Sequence, residues 1–115
     1  NPDLCAILDM WDGQAMGTGA AVKQAGMADK VMVITSGGGA KSTCDLIRDD
    51  TFDVVYNYDA PGMGRDAWTA IMIALQNGGG GNTKTQIFSP TYKMTKENVD
   101  AASCWDAETY AAMLR

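Results

Sequence analysis

The sequence predicts an α/β fold, a three-layer, Rossmann-like arrangement in which a βαβαβ run lays down a parallel sheet with helices packed on it. Three observations carry that prediction. Two strand-length apolar runs, residues 4–9 and 31–35, are each followed by a helix-like stretch. A third run, FDVVYNY over residues 52–58, continues the alternation. Glycines gather directly after the second run, as Ser36-Gly37-Gly38-Gly39, where a strand hands over to a helix. Ligands of such sheets bind outside the carboxyl ends of the strands. That rule nominates Met10, Trp11, Asp12, Ser36, Gly37 and Gly38 as one rim.

The elements follow in order. Asn1-Pro2-Asp3 reads as a turn before the first strand. Asp12 is suited to cap a helix over residues 12–25. Gly17 and Gly19 lower its helix propensity and predict close backbone approach to the sheet, and Gly26 terminates it. Lys30 leads into the second strand, residues 36–39 read as a flexible loop, and a helix is expected over 40–48. Asp59-Ala60-Pro61-Gly62 forms a turn and helix start after the third strand. The strongest helical pattern covers 63–76: Met63, Ala67, Ala70, Ile71 and Ala74 recur at helical spacing, and Trp68, Met72 and Leu75 widen the stripe. Arg65, Asp66 and Thr69 mark its outer face. Glycines at 78–81 form a linker-like break. Residues 86–88 and 92–94 read as short extended pieces around Pro90, Thr95 to Asn98 as a turn, and 106–114 as a terminal helix.

Composition bounds the function. A chain of 115 residues with 46% hydrophobic and 20% charged residues suits one globular domain with a real core. A net charge of −5 gives no basic footprint, so nucleic acid is not an expected partner. There is no histidine, which removes the commonest general base and the commonest metal ligand. No apolar run approaches the ~18 residues that span a bilayer. The sequence opens at Asn1-Pro2 with no signal peptide, as a mature, processed or excised chain would. Cys5, Cys44 and Cys104 lie far apart and form no CxxC pair. They allow either one disulfide plus a free thiol or three small buried hydrophobes.

The candidate chemistry is thin. Residues 36–43, SGGGAKST, sit between strand and helix as a phosphate-binding loop would. The spacing fails, because Ala40 stands where a glycine must precede the lysine and Thr35 where the first glycine belongs. The plainer reading is a loop that lets the backbone turn tightly. Asp9, Asp12, Asp59 and Glu97 offer carboxylates, but Asp9 and Asp12 are too close in sequence to flank a sugar from two sides. They read as a solvated strand end and a helix cap. Ser36 has no histidine to activate it, and Cys44 has no base. No catalysis, cofactor or metal is expected. Trp11, Tyr56 and Tyr58 place aromatic rings at or near strand ends, where they stack on sugar faces or else pack in a core or interface.

The order of these pieces resembles the carboxy-terminal portion of the type I periplasmic sugar-binding proteins, the ribose-binding-like substrate-binding subunits of ABC transporters. The segments that carry the likeness are NPDLCAILDMWDGQAMGTGAAVKQAG, KVMVITSGGG, CDLIRDDTFDVVYNYDAPGMGRDAWTAIMIAL and KMTKENVD. Three positions depart from the family pattern: Trp11 stands for an asparagine, Gly37 for a sugar-binding aspartate, and Tyr58 for a glutamine of the hinge strand. A different sugar, a less polar ligand and a lost site all stay open.

The resemblance implies a partial lobe. Residues 1–58 correspond to a second-lobe βαβαβ segment, 59–94 to a first-lobe helix and crossing strands, and 95–115 to a returning tail. It implies periplasmic location, capture of a sugar or similar polar solute without chemistry, and a membrane permease as partner. Binding would be by cleft closure, with Trp11 stacking and Asp12 and Ser36 to Gly38 hydrogen-bonding, near Met10 and Tyr58. It makes Cys44–Cys104 the preferred disulfide in an exported chain, both lying near the hinge side. It also leaves the stripe of helix 63–76 in water, so a second copy or the missing part of the chain is expected to cover it, with helix exchange as a low-cost route. The competing reading is a truncated, non-catalytic module that dimerises through its sheet and helix 63–76. A weaker one is the effector domain of a transcription regulator.

Overall fold

A computed structural model of the chain describes residues 1–79 and 86–113. The elements run β1 (Ala6–Leu8), α1 (Asp12–Gln24), β2 (Met32–Gly37), α2 (Lys41–Arg48), β3 (Val54–Tyr58), α3 (Ala60–Gln76), β4 (Thr91–Met94), a 3-10 turn at Val99–Ala101, and α4 (Ala107–Met113). The sheet order is β1-β2-β3-β4. The first three strands are parallel, with Leu8 opposite Ile34 and Ile34 opposite Val54. β4 is antiparallel to β3, with Tyr58 opposite Thr91 and Val55 opposite Met94. The βαβαβ alternation and its parallel sheet are therefore present, with an antiparallel edge strand added.

Side chains alternate across a strand, so parity sorts the two faces of the sheet. One face carries Val33, Thr35, Val55, Asn57 and Met94, all buried. Against it pack Ala15 and Val22 of α1, Cys44 and Ile47 of α2, and Val99 of the 3-10 turn. Both crossovers step the same way across the sheet, and crossovers of one hand that do so lie on one side of it. The opposite face shows Leu8, Met32 and Tyr56 exposed, at 75%, 45% and 48%. Among the described residues nothing supplies the second helix layer of the three-layer arrangement. α3 stands clear of the core. Its only buried residue is Gly62, while Trp68, Ile71, Ile73 and Leu75 all lie in solvent. The molecule is elongated accordingly, 59 × 33 × 21 Å.

Several local expectations are corrected. Residues 36–39 are not wholly a loop: Ser36 and Gly37 continue β2, because Tyr56 and Asn57 of β3 are there to pair with them. Trp11, not Asp12, occupies the N-cap position of α1, and it makes no side-chain cap bond. Asp12 is the first helical residue, where its charge suits the helix dipole. Gly19 does make a close approach, but to Thr51: a Cβ there would lie 2.5 Å from the Thr51 methyl. Gly17 faces open space. Asp9 is buried rather than solvated, and its Oδ2 has no partner among the described residues. Residues 86–88 are exposed and belong to no strand. The glycines at 80 and 81 and Leu114, the expected end of the terminal helix, lie outside the described residues.

The tail is fastened to the second half of the sheet. Cys44 of α2 and Cys104 form a disulfide across 60 residues of sequence, and Cys5 is an exposed free thiol. Trp105 bridges to Ala40, with its N–H donating to the Gly39 carbonyl and its own carbonyl accepting from Lys41 N–H. Arg48 pairs with Asp100 at 2.9 Å, and Lys96 with Asp50. Exposed ion pairs of this kind are screened by water and contribute little. The disulfide and the Trp105 bridge therefore do most to hold the tail.

Candidate functional site

Parallel pairing sends β1, β2 and β3 to one edge, and the residues that follow them meet there. The Ser36 hydroxyl donates to the Met10 carbonyl at 2.5 Å, which ties the end of β2 to the loop after β1. Asp12 Oδ1 accepts from Gly13 N–H at 2.9 Å, and its Oδ2 accepts from the Thr43 hydroxyl at 2.5 Å. A Cβ on Gly37 would stand 2.6 Å from that same Oδ2. Gly38 lies against the Tyr58 ring, to which its Cβ would come within 3.3 Å. The contacts run as a chain: Met10 to Ser36, Asp12 to Gly37 and Thr43, Gly38 to Tyr58.

Trp11 stands beside this chain rather than in it. Its indole folds back over Gly13, where a Cβ would meet the ring at 2.5 Å. The side chain is nonetheless 60% exposed, and Met10 is 88% exposed. The rim thus presents an aromatic ring and a thioether to solvent above a tied polar floor. It is open for a topological reason. Crevices in such sheets form where strand order reverses and helices fall on opposite faces, and β1-β2-β3 never reverses.

A second concavity, about 540 Å³, lies behind β3. Asn57 and Tyr92 floor it, the first turns of α3 bring Asp59 and Arg65, and the tail brings Trp105 and Tyr110. Of the rim residues only Gly38 reaches it. Asn57 and Tyr58 are consecutive in β3, so they point to opposite faces. Gly39, at φ +80°, can supply the close turn here because it has no side chain: a Cβ would lie 2.8 Å from Asn57 Nδ2. The Trp105 indole N–H donates to the Gly38 carbonyl at 2.7 Å, so the tail seals one wall.

The electrostatics of that wall are organised by capping. Asp106 Oδ1 accepts from Thr109 N–H and Oδ2 from the Thr109 hydroxyl, each at 2.7 Å. These bonds, the backbone one foremost, hold its carboxyl below the usual range. Asp59 caps α3 by accepting from Gly62 N–H at 3.0 Å. Arg65 donates to the Tyr110 hydroxyl at 2.8 Å, the main cause of its raised pKa, and its Nη2 lies 3.5 Å from Asp59.

Sequence reasoning missed Asn57, Tyr92, Trp105 and Tyr110 because they come from separate segments. Antiparallel pairing of β4 and the Cys44–Cys104 bond bring them together. The available signal was local: aromatic residues beside a polar strand end in YNYD, and beside the last cysteine in CWD.

No match is found among the curated proteins. A family model described as a periplasmic binding protein domain matches residues 1–80, which takes in β1, β2, β3, the crossovers between them and all of α3. With that match over most of the chain, and a parallel βαβαβ core to carry it, the chain belongs to the periplasmic binding protein domain family.

Proposed function

We propose that the chain binds a small polar solute, a sugar, at the strand-end rim, as the carboxy-terminal part of a substrate-binding protein for ABC-type transport. The protein is periplasmic in this reading and hands its solute to a membrane permease. The reading rests on family membership and on one observation: a largely exposed Trp11 ring beside the joined ends of three parallel strands. Aromatic faces stack on the apolar faces of sugar rings. Ser36, Gly37 and Gly38 offer hydroxyl and backbone groups alongside, and Asp12, Met10 and Tyr58 complete the surface. Asp12 and Ser36 are already hydrogen-bonded within the chain, so in this reading they position the rim as much as they meet the solute. No step of chemistry is assigned.

A second reading has its own observation. The open sheet face exposes Leu8, Met32 and Tyr56, and α3 exposes the stripe Trp68, Ile71 and Leu75, apolar surface of the kind that marks a contact site. On that reading the chain is a truncated interaction module that dimerises through its sheet and helix 63–76, with no retained ligand.

A thermal-shift panel of sugars and polyols separates the two. A ligand that binds only the native state raises the melting temperature. The first reading expects a rise with at least one sugar, abolished in Trp11→Ala without loss of unliganded stability. No rise with any of them, together with a stable dimer in analytical ultracentrifugation, rejects it in favour of the second.

A further inference from the structure

The geometry points to a second small-molecule site in the cavity behind β3, one that takes a small organic ammonium ion. The cavity volume of about 540 Å³ falls in the range of ligand pockets. It shares only Gly38 with the rim, because Asn57 and Tyr58 face opposite ways from β3.

Its lining is rich in acceptors and ring faces. Asn57 is 2% exposed, and its Nδ2 donates to the Tyr92 hydroxyl at 2.5 Å, while its Oδ1 has no partner among the described residues. A buried amide oxygen left unpaired costs free energy until a donor meets it. Asp59 and Asp106 contribute two carboxylates, against one lining cation, Arg65, with Lys41 outside the lining but near enough to act on Asp106. That guanidinium is engaged by Asp59 and by the Tyr110 hydroxyl, so it does not cancel both acids. Tyr92, Trp105 and Tyr110 supply aromatic rings. Rings and carboxylates together favour a cation over a neutral polyol or an anion. Trp105 is held in place by its indole bond to Gly38 and its backbone bridge at Ala40, so the site is preorganised.

The test is calorimetric titration of the intact chain with choline chloride, with glucose as the neutral control. Asp59→Asn and Asp106→Asn each remove a charge and leave an asparagine, which caps a helix as well as aspartate does. Choline is expected to bind, each variant to weaken it about tenfold, and Trp11→Ala to leave it unchanged. In the unsubstituted protein choline is also expected to shift the Trp105 indole N–H resonance, a readout that survives if a variant misfolds. The assignment is overturned if choline does not bind, if both folded variants bind it as well as the parent, if glucose binds the same cavity as tightly, or if the Trp105 resonance stays put. Trp11 lies on the rim and outside this cavity, whereas Asp59 and Asp106 line the cavity and not the rim, so failure of one reading is distinguishable from failure of the other.

Discussion

Gly37 lacks a side chain because Asp12 occupies the space one would need. The carboxylate is fixed from two sides, by Gly13 N–H and by the Thr43 hydroxyl, so it cannot swing away cheaply. A methyl at position 37 would sit 2.6 Å from Oδ2. Gly37→Ala is therefore expected to lose about 1–3 kcal/mol, the usual range for overpacking, measured by urea denaturation. An unchanged midpoint would show that the rim is softer than its contacts imply. The same geometry explains what was legible at this scale. The sequence shows Gly37 where the family it resembles has an aspartate, and Asp12 at a helix start. It does not show that the two positions touch, since they are 25 residues apart along the chain and meet only when β1 and β2 pair.

Elements were legible where the pattern is local. β2 and β3 follow from β-branched runs, and α3 from its apolar stripe. The sequence pattern ends β2 too early because glycine lowers strand propensity, whereas pairing with Tyr56 and Asn57 carries the strand through Ser36 and Gly37. β4 was visible only as an extended piece, because its strand character depends on Asn57 and Tyr58 across the sheet. The tail is the other non-local element. Closing a loop of 60 residues by Cys44–Cys104 is worth about 4 kcal/mol in chain entropy, several times any of the exposed ion pairs beside it. The double variant Cys44→Ala, Cys104→Ala is expected to lose about that much stability. Thiol titration in denaturant should find one reactive group without reductant and three with it. Three without reductant would remove the main fastening of the tail.

At the scale of the molecule, the sheet has one finished face and one open one, and α3 projects with its apolar stripe in water. The alternation of strands and helices made the fold class readable. The one-sidedness was not readable from composition, because it follows from strand order: three strands that step in one direction place both crossover helices on the same side. It is also why the rim lacks the reversal that normally deepens a strand-end cleft. In the proposed reading the rim is one wall of a cleft, and the apolar surface is where the rest of the structure or a second copy packs.

The most direct test maps amide shifts in an assigned heteronuclear NMR spectrum as the sugar giving the largest thermal shift is titrated in. The account expects saturable changes concentrated at Met10 to Gly13, Ser36 to Gly38 and Tyr58, with the second half of α1 and the buried core of the sheet unmoved. Changes centred on any other surface, or none with any sugar of the panel, would contradict it.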